Sequence, residues 1–297
     1  MFAWFDKSVL LHLRIPFSFF LMPVFCFALS QSPHPDVWLT IGVFLILHLF
    51  LYPASNAYNS FYDKDEGSIG GLEHPPPVSK NLLYAAWAFD VAALLLGALI
   101  GWPFVLALLI YGMVSKAYSY DKVRLKKYPV LSWLVVGLFQ GAFTYLMVFQ
   151  AINQVPLSDL LKAEVWAPAI LSTVWLMAAY PMTQIYQHEE DARRGDLTLS
   201  RLLGISGTFL FTAAGFLLVN IGFFLYFHYR FEDGLLYFGL FQLLLLPVLV
   251  YFLLWYLRVR HDEHQANFRS AMRLNLLSSL CMNSFFLLFF LLQSGIL

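Results

Sequence analysis

Gln184–Phe227, QIYQHEEDARRGDLTLSRLLGISGTFLFTAAGFLLVNIGFFLYF, passes from a dense cluster of charges into an uncharged run over 202–227. That run exceeds the ~20 apolar residues needed to cross a bilayer core, so it reads as a membrane span entered through a patch of carboxylates and amides. Outward from it, the hydropathy pattern predicts eight more spans: 14–30, 37–62, 81–101, 103–118, 130–152, 166–187, 235–258 and 270–296. The chain has 297 residues, 60% hydrophobic and only 12% charged, with a mean hydropathy of +0.68. This is too little polar surface for a soluble globule. The expected fold class is all-α, a polytopic membrane bundle of nine transmembrane helices, with 1–297 as a single domain.

The charges test this division, because Lys and Arg collect on the cytoplasmic side of a membrane. Of the 18 basic residues, all but Lys162 and Arg230 fall on one predicted face, leaving 18 − 2 = 16 together. The N-terminus is therefore expected inside and the C-terminus outside, in a multi-pass protein of a bacterial inner membrane. Trp4, Trp38, Trp102, Trp133 and Trp166 lie near span ends, as an interfacial aromatic belt requires. Ala28-Leu29-Ser30 has the look of a signal cleavage site. Removing the first span, however, would leave an even number of spans and discard Arg14. Cys26 and Cys281 lie within spans and read as packing residues, with no disulfide or zinc site implied. The net charge is zero and both signs crowd the same face, which argues against nucleic acid as a partner.

Two acidic clusters, Asn59–Gly67 (NSFYDKDEG) and Gln184–Gly195 (QIYQHEEDARRG), close the second and sixth spans on that face. Residues four apart share a helix face, so Asn59 projects with Asp63, and Gln187 with Asp191, with Gln184 one turn earlier. Magnesium takes oxygen ligands and is commonly held by one or two carboxylates plus substrate phosphates. Two such faces across a central cavity are suited to bridging a diphosphate through magnesium. The blander reading is a pair of solvated helix ends with surface ion pairs worth ~0–1 kcal/mol. That reading leaves unexplained why Asn56, Asn59, Thr183 and Gln184 extend into the spans. The loop AYSYDKVRLKKYP (117–129) adds Tyr118, Lys122, Arg124, Lys126 and Lys127 on the same face. Arg supplies a planar fork for phosphate oxygens and Lys a compact charge, although the positive-inside bias alone also accounts for them.

Four segments together resemble the UbiA superfamily of intramembrane prenyltransferases over nearly the full chain. They are Arg14-Ile15-Pro16, Asn59-x3-Asp63, Tyr118-Ser119-x4-Arg124-Leu125-Lys126, and Asp191-x3-Gly195-Asp196-x-Thr198-Leu199. The resemblance implies a nine-helix bundle with a cavity open toward lipid and magnesium held at Asn59, Asp63, Gln187 and Asp191. It also implies diphosphate contacts from Arg14, Arg124 and Lys126, and catalytic parts for Asp63, Asp191 and Tyr118. The implied reaction is transfer of an isoprenyl group from its diphosphate to an aromatic or quinone-precursor acceptor, as in quinone biosynthesis. The chain departs from the family pattern at Ser60, Gly67, Gln184 and Gln187, where the motifs carry Asp. Amide oxygens ligate magnesium but add no negative charge, so the alternative is a family member that binds or transports prenyl lipids without the chemistry. An alcohol phosphotransferase ranks last, since no Asp-Gly-x2-Ala-Arg segment is present. Asp90, about mid-span, is costly if unpaired and so is expected protonated or paired. His188 reads as a solvated loop residue beside the second cluster, and Arg273 as a snorkelling side chain.

Overall fold

The computed structural model describes residues 6–32 and 34–296; Trp4, assigned above to the aromatic belt, lies outside them. The helices, in chain order, are α1 (Lys7–Ser30), α2 (Val37–Asp63), α3 (Lys80–Gly97), α4 (Trp102–Ser119) and α5 (Pro129–Asn153). They continue with α6 (Ala163–Thr183), the short α7 (His188–Arg194), α8 (Leu199–Arg230), α9 (Gly234–His261) and α10 (Phe268–Gln293). Eight of them, all but α3 and α7, are long and apolar enough to cross a membrane, and the chain is an integral membrane protein. The expected third span is the 18-residue α3, which carries Lys80 and Asp90 and is the less apolar for it.

Local chemistry sets the helix ends and the breaks within them. Asp6 and Asp36 cap α1 and α2, accepting hydrogen bonds from the amides of Val9 and Leu39, both at 2.8 Å. α1 breaks at Arg14, whose left-handed backbone (φ 46°) turns the chain into a 3-10 stretch, Ile15–Phe20, before helix resumes. α2 contains a π turn over Leu47–Leu51, just ahead of Pro53, which has no N–H to offer the preceding turn. α5 has a π turn over Phe139–Phe143, where the Thr144 hydroxyl donates to Phe139 O at 2.8 Å and Thr173 Oγ1 of α6 accepts from Ala142 N at 2.9 Å.

The second acidic cluster does not prolong α6. Pro181 tightens the end of α6 into a 3-10 turn, Tyr180–Thr183, the chain turns through 184–187, and Glu189–Asp191 sit on the detached α7. α7 ends at Gly195, whose left-handed backbone (φ 74°) caps it. Thr198 then caps α8, which breaks at Gly204 (φ 71°) before running on.

Side-chain packing, rather than water exclusion, joins helices in lipid. α1 packs between α10 and α5, α6 against α8, and α2 against α3 and α4. The core at the α1–α5–α10 junction is aromatic: Phe27 stacks on Phe286 at 4.4 Å and meets Tyr145 edge-on at 5.6 Å. Such pairs are worth ~0.5–1.5 kcal/mol each beyond their buried area. Trp38 and Trp102 are 81% and 67% exposed at the starts of their spans, as a belt requires. Trp133 instead turns inward and donates to Met177 O at 2.7 Å, and Trp166 is half-buried against the core.

Candidate active site

A cavity of about 340 Å³ opens among α1, α2, α4, α5, α6, α8 and α10; α3 and α9 do not line it. Arg14, Asn59, Asp63, Asp65, Tyr118, Lys126, Gln184, Gln187 and Asp191 form its polar end, and the rings of Tyr52, Tyr111, Phe139, Trp175 and Phe216 line its apolar part. The two acidic clusters thus face one hollow. Their loops are tied directly: Arg194 Nη1 pairs with Asp65 at 2.9 Å and donates through Nη2 to Tyr62 O at 3.1 Å, while Gln187 Nε2 donates to Ser68 O at 3.1 Å.

Asp63, 3% exposed, accepts from Asn59 Nδ2 at 2.6 Å, the contact expected of residues one turn apart. Lys126 Nζ lies 2.8 Å from Asp63 Oδ1 and 3.2 Å from Asp196 Oδ2, bridging the two carboxylates. Arg124 clasps Asp196 with both Nε and Nη2 at 2.9 Å and stands 3.7 Å from Asp63. Its left-handed backbone (φ 41°), unusual for a residue with a side chain, goes with this clasp. Neither Arg124 nor Asp196 is among the lining residues; the charge of Arg124 reaches the cavity wall at Asp63. Burial opposes ionisation of Asp196, but the hydrogen bond from Arg124 and the charges of Lys126 and Arg124 prevail and hold its carboxyl below the usual range. The bond to Asp196 correspondingly raises the Arg124 guanidinium.

Asp191 is less well served. Among the described residues only the Thr198 hydroxyl donates to its carboxylate, at 3.2 Å, and burial pushes its carboxyl up to about 7 against the pull of Lys126. Arg14 donates to the carbonyls of Gly70 and Asn56, both at 3.1 Å, and sits over the Phe17 ring at 5.5 Å. Gly70 lets its backbone and Phe17 approach, because a Cβ there would stand 2.6 Å from Phe17 Cζ and force that ring to move. Tyr118 hydrogen-bonds to the hydroxyl of Tyr180, which also accepts from Gln184 Nε2 at 3.0 Å.

Other expected residues lie elsewhere. His188 bonds to Ser200 Oγ at 2.7 Å away from the cavity, and burial lowers its pKa. Lys122, Lys127 and Arg273 are exposed. Asp90 pairs with Lys116 at 2.5 Å, and Lys116 Nζ sits 5.3 and 5.1 Å from the rings of Tyr58 and Trp87. Sequence reasoning missed Tyr180 and the anchoring part of Asp196. The Gly-Asp-x-Thr-Leu segment was a signal for Asp196; nothing in the sequence singles out Tyr180.

A membrane bundle whose helix ends and loops close a charged pocket over an aromatic hollow is the class that this fold and site define. Within that class, the chain belongs to the UbiA prenyltransferase family, which matches residues 20–277. Among solved structures, it is similar to a UbiA homologue from Archaeoglobus fulgidus bound to DMAPP and Mg2+ (17% identity, TM-score 0.69, covering 98% of this chain and 100% of that one). The same homologue bound to GPP and Mg2+ gives a TM-score of 0.67 at 17% identity over 96% and 99% of the chains. A digeranylgeranylglyceryl phosphate synthase is similar at 15% identity, with a TM-score of 0.59 over 97% and 98%. Compared by sequence with curated proteins, the chain has no match.

The donor set bears on which cation suits the pocket. Among the described residues its lining contains no His or Cys, and the polar end offers carboxylate, amide and hydroxyl oxygens, a donor set that fits a hard cation such as magnesium. Among the described residues, no three His, Cys, Asp or Glu side chains gather into a protein-only metal site. The carboxylates that line the cavity are Asp63 and Asp65 from the first cluster and Asp191 from the second.

Proposed function

We propose that this protein is a magnesium-dependent prenyltransferase that moves an isoprenyl group from its diphosphate to an aromatic or quinone-precursor acceptor within the membrane. One observation carries the reading: Asp63 and Asp191, from separate halves of a UbiA-family chain, line one cavity with Lys126 and Arg14 in its wall. Asn59, Asp63, Gln187 and Asp191 hold magnesium. When bound, it offsets the charge that builds on the departing diphosphate. Lys126 exchanges its carboxylate partners for phosphate oxygens, Arg14 contacts them from α1, and Arg124 reinforces the positive charge beside Asp63. Tyr118, tied to Tyr180, closes the polar end. The rings of Tyr52, Tyr111, Phe139, Trp175 and Phe216 keep water from the allylic cation and attract it with their faces.

The same reading makes 1–297 one catalytic domain in a bacterial inner membrane, its polar end cytoplasmic and its C-terminus outside, with a part in quinone biosynthesis. The one-sided distribution of basic residues supports the orientation. A second reading, prenyl-lipid binding without chemistry, draws support from the neutral Gln184 and Gln187 and from Lys126 already neutralising Asp63. Purified protein incubated with labelled farnesyl or geranylgeranyl diphosphate, magnesium and an acceptor panel separates the two. Transfer that is abolished in Asp63→Ala and Asp191→Ala is expected. Lipid binding indifferent to magnesium, with no diphosphate released under any acceptor, would favour the second.

A further inference from the structure

Gln184 directly follows the last turn of α6, and its surroundings set it apart from the other polar residues of the cavity. Its side chain is 6% exposed, lines the cavity and donates from Nε2 to the Tyr180 hydroxyl. The Tyr180–Tyr118 hydrogen bond steadies that partner in turn. With its amino group fixed, Oε1 is a buried acceptor that receives no hydrogen bond. The other amides at the polar end are engaged differently: Asn59 donates to Asp63 and Ser119, and Gln187 to Ser68 O. An amide carbonyl can only accept, so the missing partner is an O–H or N–H donor.

We propose that Gln184 Oε1 is the specificity-determining contact for the acceptor, selecting a ring that carries a hydroxyl or amino hydrogen and holding it beside the diphosphate end of the cavity. The placement suits this. Gln184 and its partner Tyr180 line the same cavity as Asp63 and Asp191, the carboxylates placed at the reacting end of the donor. A ring lacking the donor leaves the carbonyl buried and unpaired, which disfavours it roughly tenfold to a hundredfold. The naming of the bound ring as acceptor rests on the transferase reading; the preference for a hydrogen-bond donor does not.

The test measures binding, without turnover, of a matched pair: a phenol and its methyl ether on the same ring, titrated into purified protein in detergent. Expected is a preference for the phenol of at least tenfold in the wild type, lost in Gln184→Met, with prenyl diphosphate affinity unchanged. Tyr180→Phe, which removes the hydroxyl steadying the amide while preserving the ring, is expected to reduce the preference in a pocket of the same shape. A phenol-to-ether ratio that stays the same in both variants overturns the proposal. So does a Gln184→Met variant whose magnesium dependence of diphosphate binding changes while its phenol preference persists, since that makes Gln184 a metal ligand. Failure of prenyl diphosphate to bind the wild type at all counts instead against the transferase reading.

Discussion

The two acidic ends look alike in sequence and are built differently. Asp63 ends a helix that runs unbroken from its π turn, and it is gripped by Asn59 and Lys126 with Arg124 close by. Asp191 rides on the detached α7, with one hydroxyl for company and its carboxyl pushed up to about 7 by burial. One carboxylate is stored as an ion pair with the protein's own cation, and the other close to its protonation point. Both devices limit the negative charge facing the cavity. On the proposed reading, a metal-bound diphosphate would displace an ammonium from one side and, near neutrality, a proton from the other.

The comparison breaks most visibly if the two residues do not matter equally to transfer. Asp63→Asn and Asp191→Asn are each expected to lower turnover with a labelled prenyl diphosphate by about a hundredfold or more. Full activity in either means that side contributes nothing. Stability should then separate them. Lys126→Met strips the cation from Asp63 and is expected to destabilise by about 2–3 kcal/mol, short of the full penalty for an unpaired buried charge because Arg124 remains. Adding Asp63→Asn should recover part of this loss, and a double-mutant coupling below about 0.5 kcal/mol would dissolve the pair.

Asp191 should behave in the opposite sense. Its folded-state value of about 7 lies above the ordinary 3.8, so between these values the folded chain holds a proton that the unfolded chain has released. Stability therefore falls as pH rises through that window, and the penalty is complete above about pH 7. Asp191→Asn, which cannot ionise, is expected to melt about 2–4 °C above wild type at pH 8, with the gap closing toward pH 4. Thermal melts across that range in detergent check it.

The smallest effect is expected away from the cavity. Asp90→Asn with Lys116→Met removes a buried pair as a unit, which should change stability by less than about 1 kcal/mol and leave diphosphate binding untouched. A loss of binding there would extend the functional region to α3.

The spans, the two clusters on one hollow, and the one-turn pairing of Asn59 with Asp63 were legible because hydropathy and helical spacing are local properties. What escaped depended on the chain returning from a distance. Lys116 as the partner of Asp90 requires α3 to pack on α4, and Tyr180 matters only because Tyr118 reaches it across the cavity. Arg124 reads as a phosphate contact until Asp196, 72 residues away, is seen to hold it. The second cluster read as a continuous helix, whereas Pro181 ends α6 and gives the acids a helix of their own.

The π turns of α2 and α5 carry a last implication. In α2 the stripe facing the cavity comprises Tyr52, Ser55, Asn56, Asn59 and Asp63, and it stops where the π turn over Leu47–Leu51 begins; in α5 the stripe ends at Gln140, inside its own π turn. One surplus residue swings the next part of a helix by about 100°. The floor of the hollow is thus set by backbone winding as well as side-chain bulk. Deleting a single residue from either turn would return the following part of the helix to α-helical phase and change which side chains form that floor.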